Sequence, residues 1–441
     1  MVSPAVFPSS TLRWRNQRAA ESIGLGHLDE AAWIAHFARF EPLPANLPAP
    51  LALRYHGHQF QQYNAQLGDG RGFLYAQLVD DRERVVDLST KGSGQTPWSR
   101  AGDGRLTLKG GVREILAAEM LEALGVTTSR ALSLVETGEQ LVRGDEPSPT
   151  RSSVLVRVVW SSMRWGTFQR VAHEGDENAM KRLVELGCRT YFPRIEPSPA
   201  GMLAETVRRT AALVGQWLAA GFVHGVLNSD NLNLTGESFD YGPWRFLPRY
   251  DPRFVAAYFD RSGLYAYGRQ PAAVRWNLER LVEALSLVEN HKHLEHALVG
   301  FEPGVLASFT RMFLWRLGVA ADNPVDDAIL AQRVVCAMRE LELDWDRFLF
   351  DWEGGEAGAA RAQHSPLAAT YATPRFLALR REWSGRAPLR TAAMAAPVSM
   401  HIDEVERVWS AIAERDDWAP LHDKVAQVRA LGSHLGLPPG L

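Results

Sequence analysis

Two cysteines in 441 residues, Cys188 and Cys336, are too few and too far apart for a disulfide framework. No Cys-x-x-Cys pair or Cys/His cluster is present, which argues against a zinc site. Both residues read as reduced, partly buried thiols. Basic excess is also missing. A net charge of -3 gives no electrostatic reason to expect a nucleic-acid partner. No window reaches eighteen uninterrupted apolar residues, and the best attempt, 214–226, is short and contains polar residues. The first residues, MVSPAVFPSSTLRWRNQ, lack a basic segment followed by an apolar one, so they make a poor signal peptide. These absences lead to the expectation of a cytoplasmic protein with no membrane partner. What is there is ordinary globular composition: 46% hydrophobic and 22% charged residues, enough to bury a sizeable core. The length suits two domains or one bilobal enzyme.

Along the chain, residues 1–50 are rich in Pro and Ala, with a helical stretch near His27–Phe40, and read as an N-terminal extension packed on a lobe. Phe73–Leu78 and Arg84–Leu88 read as strands around the polar turn Asp80-Asp81-Arg82-Glu83, a hairpin signal. In Gly111–Leu124, residues Val112, Ile115, Leu116, Met120 and Leu124 recur at helical spacing before Gly125. Ala131–Val135 and Val154–Val159 read as further strands, separated by a polar loop over Gly144–Ser153. Beyond about residue 172 the pattern turns helical, with amphipathic segments at Asn178–Tyr191, Met202–Ala220, Ala272–Val288, Asp326–Leu341 and Ile402–Arg415. The fold class is therefore α+β. Its expected division is an extension over 1–50, a strand-rich lobe over 51–172 and a mostly helical lobe over 173–441. The tetrapeptide GDGR occurs at 68–71 and again at 102–105. These read as two anion-binding turns in which glycine lets backbone N–H groups approach a phosphate.

A strand-rich lobe with one prominent helix, followed by a helical lobe, is the plan of a protein kinase. That plan needs a strand Lys, a helix Glu to hold it, a loop Asp, a metal-binding Asn and a second metal-binding Asp. Lys91 follows the apolar strand, Glu114 lies on the next helix, Asp230 and Asn231 sit in a loop after the helix ending near Ala220, and Asp240 begins Asp-Tyr-Gly. Two features depart from a kinase. No G-x-G-x-x-G precedes the Lys, and Asn231 directly follows Asp230 instead of standing five residues on.

The motifs QLGDGRG (66–72), STKGSGQTPWSRAGDGR (89–105), VREILAAEML (112–121), HGVLNSDN (224–231), DYGPW (240–244) and RQPAAVRWNLERL (269–281) resemble, in order, those of the selenoprotein O family. The resemblance covers roughly half the chain and its motifs are distinctive. It implies a protein-kinase-like bilobal fold and protein adenylyltransferase activity. ATP would bind in a flipped orientation, AMP would pass to a Ser, Thr or Tyr hydroxyl of a protein substrate or of the chain itself, and pyrophosphate would leave. By the same resemblance Asp230 would be the general base, and Asn231 and Asp240 would hold Mg²⁺, with Mn²⁺ as an alternative. Lys91 would contact phosphates with Glu114 orienting it. Gly68, Gly70, Arg71, Asp103 and Gly104 would line the nucleotide site, and Arg157 and Arg164 would grip the outer phosphates.

Elementary chemistry is compatible with these roles. Guanidinium suits phosphate clamping, Asp and Asn oxygens suit Mg²⁺, and an Asp within reach of a hydroxyl can accept its proton. Bland readings stand beside each. Taken alone, Lys91 is a surface lysine, Asp230-Asn231 a turn or cap, and Glu114 competes with Glu119 and Glu122 for the Lys. Arg157 and Arg164 read equally as surface arginines, His56 and His58 as structural or loop residues, His224 as a structural loop His, and Arg375–Arg386 as a solvated helix face. Two departures from the family stand out: YHGHQFQ (55–61) replaces Y-A-G-H-Q-F-G, and the tail LGSHLGLPPGL has no redox Cys. Rival activities are uridylyl transfer from UTP with Mn²⁺, phosphotransfer, and a nucleotide-binding pseudokinase scaffold.

Overall fold

The β-branched and apolar runs between residues 74 and 159 form one antiparallel sheet, in line with their strand propensity. The computed structural model describes residues 1–144, 146–390 and 394–438. The main strands are β1 (Thr11–Arg15), β4 (Leu74–Val79), β5 (Val85–Lys91), β6 (Leu106–Thr107), β7 (Arg130–Leu141) and β8 (Thr150–Val159). They pair in the order β1-β7-β8-β5-β4, and β6 adds to β8. Two small hairpins lie apart: β2 (Gly57–Gln59) with β3 (Gln62–Asn64), and β9 (Phe222–Val223) with β10 (Arg245–Phe246).

The register of β5 against β8 places Ser89 opposite Arg157 and Lys91 opposite Leu155. Side chains alternate along a strand, so Ser89, Lys91, Leu155 and Arg157 share one face. Val86, Leu88, Val154, Val156 and Val158 share the other, and all five are buried. Residues 1–50 cover that second face. They supply β1 at the sheet edge and the helices α1 (Gln17–Ser22) and α2 (Glu30–Phe37), whose Ala19, Ala20, Trp33 and Phe37 join the valines in one cluster. The expected helix at His27–Phe40 is thus shorter, capped by Asp29.

The first face is covered by α3 (Leu108–Ala123), which starts at a Thr107 side-chain cap and ends before Gly125 in the left-handed region. Its Val112, Ile115 and Leu116 pack with Leu134 and Leu155. After the sheet come α4 (Trp165–Glu174), α5 (Glu177–Tyr191), α6 (Pro199–Ala220), α7 (Gln270–Leu285), α8 (His291–Ala297), α9 (Phe301–Leu317) and α10 (Pro324–Glu340). Then follow α11 (Trp345–Asp351), α12 (Ala359–Gln363), α13 (Ala368–Tyr371), α14 (Pro374–Arg380), α15 (Ile402–Arg415) and α16 (Ala419–Leu435). The class is α+β.

His291–Leu317 has the length and composition of a membrane span. Its α9 portion serves as a core helix against α6. A Cβ on Gly215 would sit 2.5 Å from the Ser308 Cβ, and Ser308 Oγ donates to the Ala212 carbonyl at 2.7 Å. The last two helices return to α3. Arg429 donates to Glu119 at 2.7 and 2.8 Å, and Lys109 meets Glu406 at 2.7 Å.

Two expectations need correcting. The arginines of 375–386 do not form a solvated helix face, because α14 stops at Arg380 and several of them reach acids on other elements. Arg375 pairs with Glu340, Arg380 with Glu356, and the largely buried Arg386 with Asp327. Of the two thiols, Cys188 is buried, but Cys336 is exposed on α10.

Candidate active site

Lys91 ends β5 on the α3 side of the sheet and is 6% exposed. Glu114, in the second turn of α3, reaches it at 2.5 Å. A second carboxylate, Asp240, also meets Lys91 Nζ at 2.5 Å. Arg157, on β8 opposite Ser89 and on the same face of the sheet, lies 3.6 Å from Glu114 and 3.5 Å from Asp240. Arg164 enters from the cap of α4, 3.8 Å from both Asp240 and Asp69. Its guanidinium lies 4.8 Å over the Phe239 ring and 4.9 Å over Tyr55. Strand pairing and a helix start therefore converge on one carboxylate.

The loop bearing Asp230 begins where α6 stops at Gly221, in the left-handed region at φ 68°. β9 then leads to His224, whose ring is buried. His224 Nε2 meets the Phe239 carbonyl at 2.9 Å, so Nε2 carries the proton. Burial holds this imidazole below its ordinary value, and the residue is structural. It ties the Asp230 loop to the segment before Asp240. Asp240 itself adopts φ 64°, an uncommon conformation for Asp, and turns its carboxylate to Lys91. Ser229–Asn231 forms one short helical turn.

Burial pushes the Asp230 carboxyl up, Arg164 only partly opposes it, and the value lies at about 6. Its Oδ1 is buried with no hydrogen-bond partner. Asp240 is the reverse case. Burial acts to raise it, but Lys91, Arg157 and Arg164 together hold it well below the usual carboxylate range. Asp69 is raised by burial against the pull of Arg164. Two neighbouring aspartates are thus driven in opposite directions, the signature of divided roles.

These groups line a cleft of about 630 Å³, together with Gly68, Gly70, Arg71, Asp103 and Gly104. Every candidate from the sequence faces this cleft except two. Glu114 stands behind Lys91, and Asn231 stands beside Asp230 with its amide nitrogen donated to the Val226 carbonyl at 2.9 Å. That bond leaves the Asn231 amide oxygen as the available ligand atom. The first GDGR turn is tied to the loop that precedes the second. Thr96 Oγ1 donates to the Asp69 carbonyl and Ser99 Oγ to the Gly70 carbonyl, each at 2.5 Å. Packing alone demands glycine at several of these positions. A Cβ on Gly68 would lie 2.4 Å from the Trp98 ring, and one on Gly72 would lie 2.0 Å from the Thr90 carbonyl oxygen. Gly104 has φ 71° and abuts Gly94. Asp103 sits at the exposed rim, paired with Arg143 at 2.8 Å.

Among the described residues no cluster of three or more His, Cys, Asp or Glu side chains could hold a metal unaided. The donors present, the Asn231 amide oxygen and the Asp240 carboxylate, are hard oxygens. They suit a Mg²⁺ ion that takes its other ligands from water and phosphate.

Sequence reasoning missed Asp69, Tyr55, Trp98, Arg100 and Arg143, all of which line the cleft. Asp69 had a signal, since it stands inside the first GDGR. The others come together only through the folding of loops.

A polyphosphate-sized cleft holding a Lys–Glu pair, two buried arginines and hard-oxygen ligands belongs with nucleotide-transferring proteins. Comparison with known proteins agrees. A family model described as protein adenylyltransferase SelO matches residues 1–429. A relative from Synechocystis sp., named protein nucleotidyltransferase YdiU, is 41% identical over 97% of this chain and 94% of its own length. Another of that name, from Synechococcus elongatus, is 42% identical over 95% and 90%. One from Vibrio cholerae is 35% identical over 79% and 72%. The protein is an enzyme of the protein nucleotidyltransferase class. The chain belongs to the SelO family.

Proposed function

We propose that the enzyme transfers AMP from ATP to a Ser, Thr or Tyr hydroxyl of a protein, on a protein-kinase-like bilobal scaffold. The observation that carries this reading is the pair of buried arginines lining the cleft, Arg157 and Arg164. Two buried nitrogens of Arg157, Nε and Nη1, have no hydrogen-bond partner. Such a surface suits phosphate oxygens, not a purine, because buried guanidinium donors need acceptors. The triphosphate therefore enters first, in the flipped orientation. Its outer phosphates meet the two arginines and its α-phosphate lies toward Asp230.

The charge of the cleft is mixed. Three cations, Lys91, Arg157 and Arg164, face four carboxylates, Glu114, Asp240, Asp230 and Asp69, while Arg71, Arg100, Arg105 and Arg143 add positive charge elsewhere along the cleft. Asn231 and Asp240 would hold Mg²⁺, which would add neutralisation beside those two residues when bound. The chain's own residues do the rest. Glu114 keeps Lys91 directed at the phosphates. Asp230, deprotonated above about pH 6, accepts the acceptor hydroxyl's proton. The acceptor oxygen bonds to the α-phosphorus, the bond to the bridging oxygen breaks, and pyrophosphate departs against Arg157 and Arg164.

Intact-mass analysis of acceptor protein after incubation with equimolar ATP and UTP tests this reading. An adenylyl adduct from Mg²⁺ reactions is the expected result. A uridylyl adduct, favoured by Mn²⁺, would replace it with UMP transfer at the same site. A bare phosphate would make the enzyme a kinase, and ATP binding without any adduct would make it a scaffold.

A further inference from the structure

Because Asp230 Oδ1 has no hydrogen-bond partner, that oxygen is aimed by the backbone that carries it. One side of that backbone is held by Arg164, whose Nη1 donates to the Asp230 carbonyl at 2.5 Å. The other side is held by the β2–β3 hairpin. The His58 amide donates to Ser229 Oγ at 2.7 Å, and Ser229 Oγ donates onward to Gln169 Oε1 at 2.9 Å. The Phe60 amide donates to Asn228 Oδ1 at 3.1 Å, and the Tyr265 hydroxyl donates to the same oxygen at 2.8 Å. Ser229, Gln169, Asn228 and Tyr265 are all buried. The approach is tight at position 57, where a Cβ on Gly57 would lie 3.0 Å from Ser229 Oγ and in ordinary contact, 3.5 Å, with the Asp230 amide nitrogen.

The hairpin is under strain where it makes this contact. Phe60 and Gln61 adopt φ 49° and 63°, a region that non-glycine residues disfavour. Such strain persists only where surrounding contacts over-determine it, and it marks functional sites. Here the contacts are the Phe60 amide bond and the Phe60 ring, which packs on Tyr265 at 5.1 Å and Phe259 at 6.0 Å. The residue before the turn, Gln59, lines the cleft.

We propose that the β2–β3 hairpin is the positioning element of the Asp230 turn, and that Ser229 and Tyr265 are its positioning residues. Neither residue lines the cleft. They fix the backbone so that the Asp230 carboxylate meets the incoming hydroxyl, and small misplacement of a reacting group is costly in rate. The proposal rests on the reading of Asp230 as general base.

The test measures α-label transfer from ATP with Mg²⁺, as kcat and KM, for Tyr265→Phe, Ser229→Ala and Asp230→Asn. Tyr265→Phe keeps the ring stack and removes one hydroxyl, so its fold is safe. We expect kcat to fall about tenfold for Tyr265→Phe and about a hundredfold for Ser229→Ala, with KM for ATP within about twofold of the parent. Unchanged kcat in both variants, with Asp230→Asn inactive, overturns the positioning role alone. A fall in kcat for Tyr265→Phe that only tracks a loss of folded protein overturns it too. An active Asp230→Asn instead removes the base on which the proposal stands.

Discussion

Replacing Asp230 by Asn should stabilise the protein while abolishing transfer. The carboxyl is raised from its ordinary 3.8 to about 6, chiefly because burial penalises the charge. The folded protein thus binds this proton more tightly than the unfolded chain does. The group penalises the fold in full above about pH 6, and the penalty disappears as pH falls through 3.8. The interval corresponds to about 3 kcal/mol at neutral pH and less than about 1 kcal/mol at pH 4. Asn keeps the size of the side chain and removes the charge. Urea denaturation followed by tryptophan fluorescence at about pH 7.5 and about pH 4 reads both limits. The expected result is a higher midpoint for the variant at the first pH, a gain that shrinks at the second, and an unchanged slope. Asp240→Asn should behave oppositely. Its charge is held by Lys91, Arg157 and Arg164, so its loss leaves buried cations undercompensated and costs on the order of 3 kcal/mol. A pH-independent gain for Asp230→Asn, or destabilisation by it at neutral pH, would refute the electrostatic reasoning.

Gly72→Ala should cost about 2 kcal/mol of stability, since its Cβ would lie 2.0 Å from the Thr90 carbonyl oxygen. A urea midpoint unchanged from the parent would show that the loop relaxes freely. Arg429→Met severs α16 from Glu119, whose side chain is 3% exposed. Arg429 is partly solvated and Arg18 and Asn16 stay near the carboxylate, so the expected loss is about 2 kcal/mol, below that for a fully buried pair. The same denaturation assay reads it, and no loss would mean the pair is idle.

The strands and long helices were legible because their apolar residues recur at a single period. Ile402–Arg415 comes out as expected, and the strand expected over Arg84–Leu88 runs Val85–Lys91. Choosing among Glu114, Glu119 and Glu122 was beyond the sequence, because α3 is buried on several sides and offers no polar stripe. In the fold Glu114 faces Lys91, Glu119 faces Arg429, and Glu122 faces Arg18. No single period links Arg157 and Arg164, since one lies on a strand and the other caps a helix. Their convergence on Asp240 is a tertiary fact. The edge strand β1 hid in the Pro-rich opening because its pairing partner, β7, lies more than a hundred residues away. The β2–β3 hairpin hid for another reason. Its turn residues, Phe60 and Gln61, are not those that a left-handed turn selects, so only their tertiary contacts explain them.

The central claim is that the α-phosphate, not the γ-phosphate, meets the acceptor. Label transfer to protein from α-labelled and γ-labelled ATP with Mg²⁺, compared in the parent and in Asp240→Ala, tests it most directly. The account predicts label from the α position only, lost in the variant. Label from the γ position only would contradict the flipped nucleotide and make the enzyme a kinase.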